Sequence, residues 1–348
     1  MDGVEQPAQI NRDAVQKFKT RPGKPLTADE FVHGIRSGNR TVLSKAITLI
    51  ESSLHAHQHK AQEIINACLP FSGNSVRIGV TGVPGVGKST FIEALGTYLT
   101  GMGHHLAVLA IDPSSTRSKG SILGDKTRME ELAVNPKAYI RPSPSAGSLG
   151  GVARKTRETI ILCEAAGFDV ILVETVGVGQ SETTVRSMVD FFLLLMLAGA
   201  GDELQGIKRG IMEMADAIII NKADGDNMKK AELAKTQLTQ ALHYFPPPGS
   251  GWSPPVRLCS SKTKAGIDHV WNIIGEYRDL TSLSGYFGKK RAEQSLQVLH
   301  EAIEDKLKSS FYSRKEVQHQ IRKTEEEIGL GIVNPYAASR KLLELFLK

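Results

Sequence analysis

The middle of the chain alternates short apolar runs with segments of helical periodicity. Between Val76 and about Leu280 the runs are VRIGVTG, HLAVLAID, AYIRP, DVILVET, DFFLLLMLA, DAIIINKAD and PVRLCSS. They lack the alternation of apolar and polar residues that is typical of a strand with one solvent-exposed face, which indicates strands that are buried on both sides. Such strands, separated by helices, predict a doubly wound α/β domain with a mainly parallel sheet, and its ligand is expected at the carboxyl ends of the strands.

Both ends of the chain carry helical patterns instead. TADEFVHGI opens with a capping box of Thr27 and Glu30, and VLSKAITLI continues at helical spacing. After residue 286 only helices are predicted, and Asn334 with Pro335 starts the last of them. An earlier helix of this tail bears an apolar stripe of Leu296, Leu299, Ile303, Leu307 and Phe311. A helix cannot bury such a stripe by itself, so the tail either folds back on the domain or pairs with a second chain.

The chain divides where these patterns break. PFSG, which contains Pro70, ends the first helices, and the sheet pattern gives way to helix alone near residue 285. We therefore expect an N-terminal helical extension over 1–70, an α/β domain over 71–285 and a C-terminal helical arm over 286–348.

Composition and charge argue against several classes of function. Of 348 residues, 43 are basic and 37 acidic, and no dense basic run accompanies the net charge of +6, so a nucleic-acid partner is not expected. The longest apolar run, which starts at Phe191, is shorter than the roughly 20 residues of a membrane span. The three cysteines form no C-x-x-C pair, and the N-terminus has no apolar core. We expect a reducing, cytoplasmic location and no cysteine metal site.

The strongest local motif is GVPGVGKST, which satisfies G-x-x-x-x-G-K-[ST] between a predicted strand and a predicted helix. Glycines let backbone N–H groups converge on phosphate oxygens, Lys88 adds charge at the β and γ phosphates, and the Ser89 hydroxyl can reach Mg²⁺. The predicted phosphate-binding residues are Gly82, Val83, Pro84, Gly85, Val86, Gly87, Lys88, Ser89 and Thr90.

The run IIINKAD indicates which base is bound. The Asp224 carboxylate can accept hydrogen bonds from the ring N–H and the 2-amino group of guanine, and adenine offers neither donor there. Asn221 can address the other edge of the base, and the Lys222 stem can cover it. The next predicted strand ends in a second candidate base loop, which contains Ser260, Ser261 and Lys262. We predict guanine specificity; the alternative is a polar turn after a strand.

Carboxylates at the ends of the strands are candidates for a magnesium site. Mg²⁺ prefers hard oxygen ligands, and Asp112 and Glu174 end two of the apolar runs, while Asp125 lies in GDKTRM. Together with Ser89 they form the predicted metal site. The alternative for Asp112 and for Asp125 is a helix cap.

The turn after Glu174 is predicted to sense the γ-phosphate. Gly177 can bring its N–H to that phosphate. In Ras-like GTPases a Gln directly after this glycine orients the attacking water, but this chain has Val178 there, which cannot hydrogen-bond water. We expect slow intrinsic hydrolysis that a partner accelerates, and Gln180 is the candidate to replace the missing Gln.

A further candidate switch is the loop AGAGDELQGIKRG. Its glycines permit movement, and Asp202, Glu203 and Lys208 offer contacts that can differ between nucleotide states. The alternative is an ordinary loop between a strand and a helix.

With DPSS, GDKTRM, ETVGVGQSE and GDELQGIKRG in order around the P-loop and NKAD, the sequence closely resembles the ArgK/MeaB family of P-loop GTPases, within the G3E group that also assists nickel insertion. The resemblance covers essentially the whole chain. It implies a GTP-hydrolysing chaperone of an adenosylcobalamin-dependent acyl-CoA mutase, typically methylmalonyl-CoA mutase, that gates cofactor loading and protects the mutase. It also implies GTP and GDP as substrate and product, Mg²⁺ as cofactor, a third switch loop over 199–210 and a homodimer joined through the C-terminal arm.

Three other functions stay open from the sequence. The family carries an older name as a kinase linked to arginine and ornithine transport, but the sequence offers no separate general base for a phospho-acceptor. A nickel or zinc metallochaperone lacks its clusters of metal ligands. A nucleotide-gated scaffold with negligible turnover differs from a GTPase chaperone only in rate.

Overall fold

Seven parallel strands form the centre of the molecule, in the order β3-β2-β4-β1-β5-β6-β7. The computed structural model describes residues 26–111, 129–142, 149–175, 181–198, 209–246 and 248–347. The strands are β1 (Val76–Gly82), β2 (Leu106–Ile111), β3 (Ala138–Arg141), β4 (Val170–Thr175), β5 (Phe191–Leu197), β6 (Ala217–Asn221) and β7 (Val256–Leu258). Each strand coincides with one predicted apolar run, so the predicted doubly wound sheet is confirmed.

Helices pack against both faces of this sheet. In the described part of the chain they are α1 (Ala28–Arg36), α2 (Arg40–Glu51), α3 (His55–Cys68), α4 (Lys88–Gly101), α5 (Glu130–Val134), α6 (Leu149–Ala165), α7 (Ser181–Arg186), α8 (Arg209–Met214), α9 (Met228–Leu242) and α10 (Ile267–Leu283). On one face, Phe91 of α4 and Ile274 of α10 share a core with the sheet. On the other, Ile47 of α2 shares a core with Ile171 of β4. The N-terminal helices are therefore part of the cover of the sheet.

The first helix begins as its sequence predicts. The backbone N–H of Glu30 donates to the Thr27 hydroxyl at 3.2 Å, and the backbone N–H of Thr27 donates to the Glu30 carboxylate at 2.6 Å. These two contacts form the predicted capping box, which satisfies amide groups that the first turn leaves without partners.

Three helices make up the C-terminal arm: α11 (Tyr286–Ser313), α12 (Lys315–Gly329) and α13 (Pro335–Leu347). Four members of the predicted apolar stripe on α11 keep 47–59% of their surface exposed, namely Leu296, Leu299, Ile303 and Leu307. The fifth, Phe311, packs on Phe346 of α13 with 5.3 Å between ring centroids. The stripe therefore does not fold back on its own α/β domain.

Buried ion pairs fix the start of the arm to the amino ends of the strands. Arg291, in the second turn of α11, contacts both carboxylate oxygens of Asp190 at 2.8 and 2.6 Å, just before β5. Arg77 of β1 contacts both oxygens of Glu164 at 2.9 and 3.0 Å. The Arg291–Asp190 pair therefore holds the start of the arm at the edge of the sheet opposite the predicted nucleotide site, and the Arg77–Glu164 pair holds α6 against β1 at the same edge.

Candidate functional site

The loop between β1 and α4 has the backbone of a phosphate-binding loop. Gly82 has φ 151° and Gly87 has φ 91°, which are conformations that favour glycine. A Cβ on Gly82 would lie 2.5 Å from the carbonyl oxygen of Leu195, and one on Gly87 would lie 3.0 Å from the Asn221 amide nitrogen. The fully buried Val86 side chain anchors the loop in the core. Pro84, Gly85 and Thr90 are exposed, and Val83 packs partly against the core.

Lys88 begins α4 and points back over this loop. Its Nζ donates to the carbonyl oxygens of Gly82 at 2.7 Å and Val83 at 3.4 Å. Burial lowers the pKa of Lys88, and the negative charges of Glu174 and Glu182 oppose that shift. A half-buried amine between carboxylates is placed to neutralise phosphate charge.

Ser89 and Glu174, two of the predicted metal ligands, lie in contact. The Ser89 hydroxyl donates to Glu174 Oε1 at 3.1 Å. Glu174 is 6% exposed and lies near the carboxyl end of β4, which pairs with β1 on one side and β2 on the other. Both groups are hard oxygen donors of the kind that Mg²⁺ binds.

The amide of Asn221, at the end of β6, connects the phosphate loop to the predicted base loop. Its Nδ2 donates to the carbonyl oxygen of Val86 at 2.9 Å. Its Oδ1 accepts from the backbone N–H of Ser261 at 3.1 Å and from the Ser261 hydroxyl at 2.8 Å. At 1% exposure the side chain is almost fully buried, so it sets the spacing between the two loops.

Lys222 and Asp224 lie on either side of this connection. Lys222 adopts φ 58° and donates from Nζ to the carbonyl oxygen of Gly85 at 2.8 Å. The Asp224 carboxylate accepts a hydrogen bond from the Ser260 hydroxyl, and the Lys262 side chain is exposed beside the loop. The structure therefore brings together the predicted residues of the phosphate loop, the base motif and CSSK.

Several predicted site residues lie outside the described part of the chain. They are Asp112, Asp125, Gly177, Val178, Gln180, Asp202, Glu203 and Lys208. Their roles stay predictions.

Three residues around the site were missed by the sequence interpretation. The sequence assigns no role to Glu182 within ETVGVGQSE, yet its negative charge opposes the lowering of the Lys88 pKa by burial. The Cys259 thiol donates to Asn221 Oδ1 at 3.4 Å, and Asn227 donates from Nδ2 to the carbonyl oxygen of Lys222 at 2.7 Å. The last two lie within three residues of a predicted residue, so each motif could have been extended to its neighbours.

The described residues contain neither a cluster of metal-binding side chains nor a helix that could span a membrane. No group of three or more His, Cys, Asp and Glu side chains is arranged to hold a metal ion in those ranges. Within the same ranges, no helix combines the length and apolar character needed to cross a membrane. All three cysteines are buried and free.

Comparison with known proteins decides the family. The model of the family described as methylmalonyl-CoA mutase-associated GTPase MeaB matches residues 43–316. The chain belongs to the MeaB family. GTPase ArgK of Escherichia coli K12 is 44% identical over 318 residues, which cover 91% of this chain and 96% of that protein. The mitochondrial methylmalonic aciduria type A homolog of mouse is 42% identical over 328 residues, covering 91% of this chain and 79% of that protein.

A solved structure supports the fold over nearly the whole chain. The crystal structure of a protein named LAO/AO transport system kinase superposes with a TM-score of 0.74 at 37% identity, covering 94% of this chain and all of that one. The chain thus belongs to a family of GTPases that is described as associated with methylmalonyl-CoA mutase. The resemblance inferred from the motifs is thereby confirmed.

Proposed function

We propose that this MeaB-family protein binds GTP between the phosphate loop and the base loop, and that hydrolysis gates loading of adenosylcobalamin into a methylmalonyl-CoA mutase and protects that mutase. The observation that carries the nucleotide part is the buried Asn221 amide, which contacts Val86 at 2.9 Å and Ser261 at 2.8 Å. One buried side chain thus connects the two loops. Guanine bound at Asp224 would therefore fix where its phosphates meet Lys88.

The oxygens at the phosphate end fit a magnesium ion. Ser89 and Glu174 lie 3.1 Å apart, and both are hard donors. We propose that Ser89 would bind the ion directly and that Glu174 would hold it directly or through water, with Asp112 and Asp125 as further ligands. When bound, Mg²⁺ supplies positive charge to the β and γ phosphates. Lys88 adds its own charge beside them, and the backbone amides of the loop orient the transferred group.

Control of the rate is assigned to the turn after Glu174. Val178 cannot orient water, so we propose that hydrolysis by the isolated protein is slow and that the mutase accelerates it. Gln180 is the proposed replacement, and Asp202, Glu203 and Lys208 are the proposed contacts that differ between nucleotide states.

The test is GTP turnover by the isolated protein and by its mixture with methylmalonyl-CoA mutase. We expect slow turnover alone and faster turnover in the mixture. Fast hydrolysis that the mutase leaves unchanged would contradict gating. Gln180→Ala is expected to lose the stimulation; full stimulation in this variant would remove Gln180 from the mechanism.

We also propose a homodimer that is joined through the arm. The support is the exposed stripe on α11, where Leu299 and Ile303 are 53% and 47% exposed on one face. Leu299→Lys with Ile303→Lys should convert a dimer to a monomer in sedimentation, and Lys308→Glu, on the opposite face of the same helix, is the control. Monomeric wild-type protein would contradict the dimer. A cytoplasmic location stays a prediction.

A further inference from the structure

Helix α7 lies between the nucleotide site and the arm. The negative charge of Glu182, in its first turn, opposes the lowering of the Lys88 pKa by burial. Further along the helix, Val185 packs closely on Gly79 of β1. A Cβ on Gly79 would lie only 2.7 Å from Cγ1 of Val185, and 3.1 Å from Cγ2 of the nearby Val189. The helix is therefore seated on the strand that leads into the phosphate loop.

The last residue of α7 is held by a carboxylate that the arm also contacts. Arg186 donates to Asp216 at 2.7 and 3.3 Å. Lys290 of α11 approaches the same carboxylate at 3.7 Å and donates to the backbone carbonyl oxygen of Asp190. Asp216 is therefore shared between the end of α7 and the start of the arm.

A second connection runs from the residue after α7 to the middle of α11. Arg157 of α6 donates from Nη2 to the Ser187 hydroxyl at 2.7 Å and from Nη1 to the Glu301 carboxylate at 2.5 Å. The Gln294 amide donates to the backbone carbonyl oxygen of Val189 at 2.9 Å. The arm thus contacts the segment after α7 directly through Gln294 and indirectly through Arg157.

We propose that Glu301 is a positioning residue for GTP hydrolysis, acting through Arg157 and Ser187 to fix α7 beside Lys88. The proposal rests on the assignment of Lys88 to the phosphates. Glu301 lies far along the chain from the nucleotide motifs, so hydrolysis would depend on how the arm is seated on the α/β domain.

The orientation of the Arg157 guanidinium depends strongly on Glu301. The Nε atom of Arg157 is buried and has no hydrogen-bond partner within the described ranges, so the two Nη contacts hold the guanidinium. Removal of Glu301 leaves Ser187 alone to hold it. The Glu301 side chain is 42% exposed, so its loss should disturb the orientation of Arg157 with little effect on the stability of the fold.

Steady-state GTP hydrolysis by the full chain tests the proposal. We expect Glu301→Ala to lower kcat about tenfold while KM for GTP stays within about twofold, because α7 moves but the loops that bind GTP do not. Glu301→Gln keeps an oxygen acceptor and should restore most of kcat. The matched control is Glu304→Ala, which removes an exposed carboxylate one turn further along α11 that pairs with Lys308 at 3.8 Å.

A double-mutant cycle separates positioning from a general effect of the arm. Arg157→Ala should lower kcat by a similar factor, and adding Glu301→Ala to it should cost little more, because both changes break one connection. Wild-type kcat in Glu301→Ala, an equal loss in Glu304→Ala, or full additivity with Arg157→Ala would overturn the proposal. If Lys88→Ala hydrolyses GTP like the wild type, the site assignment has failed instead.

Discussion

The two edges of the sheet hold their carboxylates in different ways. At the carboxyl edge, Glu174 accepts from the Ser89 hydroxyl and Asp224 accepts from the Ser260 hydroxyl. At the amino edge, Glu164 and Asp190 are each contacted at both oxygens by a single arginine. Serine hydroxyls can exchange their partner for a ligand at small cost, whereas a bidentate arginine pair fixes both groups.

This difference separates two tasks within one sheet. The carboxyl edge keeps its oxygens available for a nucleotide and an ion, so its side chains should contribute to turnover more than to folding. At the amino edge, Arg291 lies 17% exposed against Asp190 at 2%, so that edge should contribute to stability more than to nucleotide binding.

The largest effect is expected at the carboxyl edge. Lys88→Ala should lower GTP turnover about a thousandfold, because the charge beside the transferred phosphoryl group is lost, and it should leave the urea unfolding midpoint unchanged. Lys229→Ala, which removes an exposed amine in the first turn of α9, is the matched control and should retain most of the turnover. An active Lys88→Ala protein would contradict the phosphate-loop assignment.

The next effect belongs to the amino edge. Arg291→Met should lower the free energy of unfolding by about 3–5 kcal/mol, because the Asp190 carboxylate stays buried without its arginine. The affinity of the remaining folded protein for GDP should not change. The control is Lys289→Met, since this exposed amine reaches Glu293 only at 3.9 Å. A loss of GDP affinity without a loss of stability would reverse the proposed division of tasks.

The carboxyl edge was far easier to predict from sequence than the amino edge. Local sequence motifs mark its loops, which come at the ends of apolar strands. Strands that are buried on both faces can be recognised in the sequence as unbroken apolar runs. The pairs at the amino edge have no local signal. Arg77 and Glu164 are 87 residues apart, and Arg291 and Asp190 are 101 residues apart, so one sequence does not show that they meet.

Asn221 shows what a motif leaves out. Its position predicts a contact with the base, which stays a prediction. The structure shows in addition that its amide connects two loops that lie 135 and 40 residues away in sequence. The α11 stripe is similar, because its periodicity predicted an amphipathic helix yet allowed two ways to bury the apolar face. The described residues eliminate fold-back for its four exposed members.

A smaller effect would sharpen the functional side of the comparison. Asp224→Asn should reduce the preference for GTP over xanthosine triphosphate by about a hundredfold, because an amide offers one acceptor oxygen where guanine presents two donors. Competition binding with the two nucleotides measures it. Asp226→Asn, at an exposed position two residues on, is the control, and undiminished preference in Asp224→Asn would contradict the guanine contact.

The smallest expected effect is a pH dependence at the amino edge. Burial and the positive charge of Arg186 lower the pKa of Lys290, whereas the negative charges of Asp216 and Asp190 oppose this shift. The resulting pKa is about 8. In the unfolded chain a lysine titrates near 10.4, so between these pH values the unfolded chain binds a proton that the folded chain does not. The Lys290 contribution to the free energy of unfolding should therefore rise with pH in this window, by up to about 1.4 kcal/mol per pH unit.

Lys290→Met isolates this contribution, because other titrations cancel when the two proteins are compared. Urea unfolding at about pH 7.5, 8.5 and 9.5 should show wild-type stability rising relative to the variant. Lys289→Met, whose amine is exposed to water in the folded chain, should give a constant difference. A constant difference for Lys290→Met as well would mean that burial does not lower the pKa of Lys290. The contrast between the two edges would then rest on the arginine pairs alone.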